Sequence, residues 1–116
     1  MKIRICDYIA KYIYEVLGVD TVFMLTGGGA IFLNDGIAKY GKFQVVSNHH
    51  EQAGAMGAVA YSKYTRGISI VIPTTGCGGT NTMTGLLDAW QDGCPVLFIS
   101  GQVNEQNTRL RQSGVQ

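Results

Sequence analysis

One acidic residue, Glu51, stands where a predicted strand gives way to a predicted helix. The strand-like run 43–47 ends at a polar cluster that includes His49 and His50, and a helical pattern of small residues begins at Glu51. An acid at this position can interact with the positive end of the helix dipole, which contributes about 0.3–1 kcal/mol. It can also pair with His49 or His50, or act as a functional carboxylate in a cleft. The sequence leaves these three roles open.

The helix predicted after Glu51 carries almost no side-chain bulk. Its small residues are Ala53, Gly54, Ala55, Gly57, Ala58 and Ala60. Glycine inside a helix costs about 1 kcal/mol relative to alanine. Gly54 and Gly57 therefore indicate that something packs closely against this helix, either a neighbouring helix or a second subunit.

Two glycine-rich segments also lie between a predicted strand and a predicted helix. Residues 26–29 (TGGG) can let a ligand approach the backbone and offer free N–H groups to an anion, or they form a turn that needs positive φ. They match neither GxGxxG nor a P-loop. Residues 76–81 (GCGGTN) give a second such loop, in which Thr80 or Asn81 can cap the next helix.

Five other residues have weaker support for a functional role. His49 and His50 lack a third ligand at metal-binding spacing, so we interpret them as polar residues at a pocket edge. Cys77 is a possible nucleophile without an identifiable histidine partner. Met83 and Trp90 lie at helical spacing and are predicted to be core residues.

The elements that position these residues alternate between helix and strand. Helices are predicted at 3–17, 30–40, 51–65 and 81–91, and strands at 21–25, 43–47, 69–73 and 95–100. This alternation predicts a three-layer α/β/α fold with a mainly parallel sheet. Right-handed crossovers would bring loops 26–29, 47–51 and 74–80 to one sheet edge, where ligands bind in such folds.

Composition limits the remaining choices. The 116 residues, 46% of them hydrophobic, suffice for one domain spanning 1–116. A net charge of +1 without a basic run argues against nucleic-acid or membrane-surface binding. The N-terminus resembles neither a signal peptide nor a membrane span. Three cysteines without a CxxC pair favour a cytoplasmic protein.

Four ordered motifs resemble the N-terminal pyrimidine-binding domain of thiamine diphosphate enzymes, in particular the acetolactate synthase-like group. They are 50–53 (HEQA), 74–81 (TTGCGGTN), 84–90 (TGLLDAW) and 95–103 (PVLFISGQV). Residues 26–30 with 33–35 also look like proteins associated with surface-sugar biosynthesis. The resemblance implies a flavodoxin-like thiamine diphosphate-binding fold that continues beyond residue 116. A fragment of a longer chain is therefore expected, with a separately encoded half of a split enzyme as the alternative.

The resemblance also implies a role for Glu51. The family's glutamate hydrogen-bonds N1′ of the aminopyrimidine and promotes the imino tautomer, whose N4′ takes the proton from thiazolium C2. The resulting ylide attacks a 2-oxo acid or a related carbonyl. By position, Leu25, Thr26, Gly27 and Gly28 match the loop beside the ring, Cys77 and Asn81 match the pyrimidine pocket, and Gln116 matches the substrate side.

Departures from the family pattern qualify these implications. Position 77 is usually proline, and position 25 is often aromatic in acetolactate synthases, which argues against acetolactate as the product. The chain has no GDG…NN motif, so Mg²⁺ and the diphosphate are expected on a separate diphosphate-binding domain. The resemblance then implies an active site at the interface of a homodimer or higher oligomer, completed by the partner subunit's domain. Whether FAD is bound is left open.

Three hypotheses follow for function. The first is part of a thiamine diphosphate-dependent lyase or carboligase that is inactive as an isolated 116-residue chain. The second is a catalytically silent binding or assembly module of the same fold, which Cys77 would favour. The third is a flavodoxin-like nucleotide binder that uses the triple-glycine turn.

Overall fold

The computed structural model describes residues 2–108, so Gln116 lies outside the described residues. The helices are α1 (Ile5–Glu15), α2 (Ile31–Tyr40), α3 (Glu51–Thr65), α4 (Cys77–Thr80) and α5 (Met83–Gln91). The strands are β1 (Thr21–Met24), β2 (Gln44–Val46), β3 (Ser69–Ile72) and β4 (Val96–Phe98). Short 3₁₀ turns occupy Gly28–Ala30 and Glu105–Asn107. The predicted elements are confirmed, with α4 as an additional helical turn inside the expected loop 74–80.

The four strands form one parallel sheet in the order β2-β1-β3-β4. Val22 pairs with Val45 on one side and Ile70 on the other, and Ile70 pairs with Leu97. Within the described residues, β4 is an edge strand on which Leu97 remains exposed. The parallel sheet predicted from the alternating pattern is thus confirmed.

Helices cover both faces of this sheet. On one face, Val22 and Ile70 pack with Ile13 of α1 and Ile37 of α2. On the other face, Phe23 and Val71 pack with Ala55 and Ala58 of α3. Successive strand residues point to opposite faces, so even a four-residue strand contributes to both layers. The predicted three-layer α/β/α architecture is confirmed.

The second helical layer explains the glycines of α3 by packing within the chain. A Cβ added to Gly57 would lie 3.2 Å from the Phe23 ring, and one added to Gly54 would lie 3.2 Å from Asn48 Oδ1. From α5, Gly85 approaches so closely that an added Cβ would lie 2.5 Å from Ala55 Cβ. The sequence left two alternatives for what packs against α3, a neighbouring helix or a second subunit. The neighbouring helix is observed, and contact with a second subunit stays a prediction.

The orientation of α5 contradicts one sequence expectation. Its inner face consists of Gly85 and Ala89, which are buried together with the preceding residue Thr82. Met83 and Trp90, predicted to be core residues, are 58% and 84% exposed. That prediction was wrong because both faces of α5 are apolar, and only small residues fit against α3. None of the helices within residues 2–108 has the length and apolar character needed to cross a membrane.

Candidate functional site

Glu51 is the first residue of α3 and lies at the carboxyl edge of the sheet. The preceding residue, His50, is extended (φ −149°, ψ 139°) and serves as the N-cap. Its Nδ1 accepts a hydrogen bond of 3.1 Å from the backbone N–H of Gln52. His50 is therefore a capping residue that also borders the site, consistent with its interpretation as a polar residue at a pocket edge.

The carboxylate of Glu51 has a specific partner in a distant segment. Asn81 Nδ2 donates a hydrogen bond of 3.0 Å to Glu51 Oε2, and the pair is partly buried. Asn81 directly follows α4, and its backbone N–H donates to the Cys77 carbonyl. The turn of α4 thus fixes the side chain that orients Glu51.

The same contacts correct the expected capping of α5. Neither Thr80 nor Asn81 caps this helix, because α5 begins after Thr82, which makes no side-chain cap hydrogen bond. Thr80 Oγ1 donates to the Cys77 carbonyl and Thr82 Oγ1 donates to the Gly79 carbonyl. These hydroxyls instead close the turn between β3 and α5.

Glycines of the second loop bring backbone close to the Glu51 carboxylate. A Cβ on Gly78 would lie 3.2 Å from Glu51 Oε1 and 2.5 Å from Thr74 Cγ2. Gly76 adopts φ 62° and ψ −124°, a conformation that a residue with a side chain rarely accepts. The glycines therefore allow the loop to wrap over Glu51. Cys77, predicted to line the cofactor pocket, begins α4 and is exposed.

The first loop packs against the second loop. A Cβ on Gly27 would lie 2.5 Å from the Thr74 side chain, and one on Gly29 would lie 2.6 Å from Thr75 Cγ2. Gly28 has open space beside it. Two of the three glycines are thus required for contact between the loops, whereas the sequence had suggested ligand approach or positive φ.

A small cleft lies beside Glu51 between the ends of β1 and β3 and the start of α3. We call it the Glu51 cleft; its lining includes Leu25, Asn48, His50, Glu51, Gly54 and Pro73. Its cavity volume is about 10 Å³, which is about the size of one water molecule. The structure therefore brings two predicted site residues, Leu25 and Glu51, together in one cleft, with Asn81 bonded to Glu51.

Other predicted residues border a second cleft. Thr26, Gly27 and Gly28 line it together with the Ile31 to Ala38 face of α2. The predicted cofactor-binding loop is thus divided, with Leu25 on the Glu51 side and Thr26 to Gly28 on the α2 side. The assignment of these residues to a cofactor stays a prediction.

Two polar side chains near Glu51 were not identified from the sequence. Asn48 Oδ1 and Thr74 Oγ1 are buried without a hydrogen-bond partner, as is Asn34 Oδ1 on α2. Buried polar atoms are normally hydrogen-bonded, so such atoms indicate a missing partner. Asn48 had one sequence signal, its place directly after a predicted strand and three residues before Glu51.

These groups match the chemistry of an aminopyrimidine. A carboxylate can bond a ring nitrogen, and Leu25 and Pro73 offer apolar contact. The described residues bring together no group of three or more His, Cys, Asp or Glu side chains suited to a metal ion. All three cysteines are unpaired.

Comparison with known proteins identifies the family. Residues 3–116 match the model for the thiamine pyrophosphate enzyme, N-terminal TPP binding domain. The chain belongs to this family. Its fold is therefore that of a TPP-binding domain, as the motifs had implied.

Relatives of this TPP-binding domain include acetolactate synthases. The chain is 37% identical over 87 residues to the acetolactate synthase large subunit of Lactococcus lactis, covering 75% of this chain and 15% of the relative. It is 40% identical over 87 residues to the isozyme 2 large subunit of Escherichia coli, covering 75% and 16%. For the mitochondrial enzyme of Schizosaccharomyces pombe, identity is 39% over 85 residues, covering 73% and 13%. The matched region thus spans about 15% of the length of these curated relatives.

Proposed function

We propose that this domain is the pyrimidine-binding part of a thiamine diphosphate-dependent lyase or carboligase that acts on a 2-oxo acid or a related carbonyl. The observation that carries the proposal is the Glu51 carboxylate, held by Asn81 at the carboxyl edge of a parallel sheet. Family membership supports thiamine diphosphate as the cofactor. The identity of the product is left open, because position 25 is leucine here and is often aromatic in acetolactate synthases.

In the proposed reaction, Glu51 holds a proton at the ring nitrogen of the aminopyrimidine. When bound, the cofactor supplies the carbon that adds to the substrate carbonyl and the electron sink for the following step. Asn81 donates to Oε2 of Glu51 and so fixes the carboxylate, which leaves Oε1 beside Gly78. Leu25 and Pro73, which line the cleft, would offer apolar contact to the bound ring.

The remaining cofactor contacts are assigned to other parts of the assembled enzyme. We infer that a diphosphate-binding domain of a partner subunit holds Mg²⁺ and the diphosphate, and that the active site forms at the interface of a homodimer or higher oligomer. Supporting this, the outer face of α5, defined as Met83, Leu86, Leu87 and Trp90, is apolar and exposed. Exposed apolar patches of this kind mark interaction surfaces in soluble proteins. Three unpaired cysteines support a cytoplasmic location.

Turnover of a 2-oxo acid tests the proposal. The full-length protein is assayed for decarboxylation and carboligation of pyruvate and larger 2-oxo acids, with thiamine diphosphate and Mg²⁺ supplied. We expect activity in the wild type and a loss of at least about a hundredfold in Glu51→Gln, since the amide cannot exchange the proton. Full activity in Glu51→Gln would contradict the role of this carboxylate.

The alternative is a catalytically silent binding or assembly module. Exposed Cys77, at the position where the family usually has proline, is the feature that favours it. Isothermal titration of the full-length protein with thiamine diphosphate separates the two functions. Absence of binding heat together with an unchanged unfolding temperature would support the silent module.

A further inference from the structure

The segment that follows β4 contacts both glycine-rich loops. We call residues 100–102 (SGQ) the bridging segment. The backbone N–H of Gly101 donates to the carbonyl of Pro73, which directly precedes the second loop, over 3.1 Å. The backbone N–H of Gln102 donates to the carbonyl of Gly29, the last residue of the first loop, over 3.1 Å. The bridging segment thus connects the two loops at the carboxyl edge of the sheet.

Gly101 allows the bridging segment to lie directly on the first loop. A Cβ added to Gly101 would lie 2.4 Å from the Gly29 carbonyl oxygen and 2.6 Å from the Ala30 backbone nitrogen. A residue with a side chain cannot approach backbone atoms this closely, so the contact requires glycine at position 101. The close approach places the next residue, Gln102, beside both loops.

The side chain of Gln102 bonds the second loop. Its Oε1 accepts a hydrogen bond of 3.1 Å from Thr75 Oγ1 and one of 2.9 Å from the backbone N–H of Val103. Because a backbone N–H can only donate, the amide atom that faces Val103 must be the oxygen, which fixes the orientation of the amide. Gln102 therefore holds the first loop through its backbone and the second loop through its side chain.

The spacing of these two loops determines the surroundings of the Glu51 carboxylate. The second loop carries Asn81, which bonds Glu51 Oε2, and Gly78, whose added Cβ would lie 3.2 Å from Glu51 Oε1. The first loop directly follows Leu25, which lines the Glu51 cleft. A shift of one loop relative to the other would therefore move Leu25 relative to the groups that surround the carboxylate.

We propose that Gln102 is a positioning residue that holds the first and second loops at the spacing required by the bound cofactor. It acts through its side-chain bond to Thr75 and its backbone bond to Gly29, and it does not itself line the Glu51 cleft. This inference rests on the proposed function. Without the bond to Thr75, the loops adopt the binding-competent arrangement for a smaller fraction of the time, and the apparent affinity falls by that fraction.

Cofactor binding to the full-length protein tests this role without relying on turnover. Titration calorimetry measures the affinity for thiamine diphosphate, with Mg²⁺ supplied, in two variants. Gln102→Met keeps the length of the side chain and Thr75→Val keeps its branched shape, and each removes the same hydrogen bond. Each variant should bind about fivefold more weakly than wild type. The double variant should bind no more weakly than either single variant, because the two substitutions remove one shared contact.

Two controls separate positioning of the loops from a general loss of stability. Thr75→Ser keeps the hydroxyl that donates to Gln102 and should bind thiamine diphosphate as tightly as wild type. Tyr40→Phe removes a different exposed side-chain hydrogen bond, the 2.9 Å contact from Tyr40 to Glu15 at the far end of α2. It should leave the affinity unchanged. The unfolding temperature without ligand is measured for every variant to establish that it is folded.

Each outcome has one meaning. Weaker binding in Gln102→Met and Thr75→Val that is not additive, with wild-type affinity in Thr75→Ser, supports the positioning role. Wild-type affinity in both folded single variants overturns it and leaves the proposed function standing. Additive losses, or a loss in Gln102→Met alone, also overturn it, since Gln102 would then not act through Thr75. Absence of thiamine diphosphate binding to the wild type overturns the proposed function and the positioning role together.

Discussion

Asn81 donates a hydrogen bond of 3.0 Å to Glu51 although the two residues are 30 positions apart. The contact joins the start of α3 to the turn that precedes α5 and crosses from one strand-to-helix loop to another. It gives the carboxylate a fixed orientation at the sheet edge. The pair therefore provides direct ways to perturb the site.

Replacing Asn81 with aspartate should introduce repulsion at Glu51. Two close carboxylates raise the pKa of the pair above the ordinary range, so the folded state binds protons more readily than the unfolded state. The free energy of unfolding of Asn81→Asp, relative to wild type, should therefore decrease as pH rises from 4 to 7. Urea unfolding of the full-length protein between pH 4 and 7 measures this difference in the free energy of unfolding. Asn81→Ser is the uncharged control, and a pH-independent difference for Asn81→Asp would contradict the contact.

Gly85 should not tolerate even one added methyl group. In Gly85→Ala the new Cβ would meet Ala55 Cβ at 2.5 Å and the Ala55 backbone carbon at 2.9 Å, so α5 must move away from α3. Overpacking of this kind costs about 1–3 kcal/mol. Thermal and urea unfolding of the full-length protein should show that loss. Gly28→Ala is the control, because nothing lies within 4 Å of its added Cβ, and an equal loss in both variants would refute the packing argument.

The outer face of α5 should determine association of the full-length protein. Trp90 is 84% exposed, and its replacement by serine removes the largest apolar contact available to a partner. Analytical ultracentrifugation of Trp90→Ser should show at least about tenfold weaker association than wild type. Ile5→Ser is the matched control, since Ile5 is exposed on α1 away from this face. Unchanged association in Trp90→Ser would exclude this face as the contact surface.

The ion pair of Arg4 with Asp7 should stabilise the fold only while Asp7 is ionised. Hydrogen bonds of 2.6 and 2.8 Å from Arg4 lower the pKa of Asp7 below its usual value of 3.8. The stabilisation is therefore complete above pH 3.8 and disappears as pH falls through the lowered pKa. Arg4 also reaches Asp35 at 2.7 Å, which links the start of α1 to α2.

Chemical unfolding as a function of pH checks this pair. Arg4→Gln should be less stable than wild type at pH 7, and the difference should shrink as the pH falls below 3.8 and through the lowered pKa of Asp7. Arg66→Gln serves as the control, because the ion pairs seen within residues 2–108 do not include Arg66. A difference for Arg4→Gln that persists unchanged in acid would show that packing of the arginine stem, and not the ion pair, is responsible.

The sequence by itself determined the architecture and the place of Glu51. Buried parallel strands are short apolar runs, and their alternation with helices defines both the sheet and the edge where the loops meet. Gly41 shows that the signal for a helix end is local. Its φ is 74°, and α2 ends at this glycine as the sequence predicted. Such signals depend on backbone preferences and hydrophobic periodicity, which neighbouring residues largely decide.

Only the tertiary structure decided how the two apolar faces of α5 are used and which polar groups meet. Gly85 packs against Ala55, so Trp90 on the opposite face of α5 is exposed. Hydrophobic periodicity cannot predict which of two apolar helix faces is buried. Asn81 was expected as a helix cap or pocket residue, and its bond to Glu51 depends on the turn of α4. The unpaired oxygen of Asn48 is likewise invisible in the sequence, because hydrogen-bond satisfaction is a property of the packed chain and not of residue type.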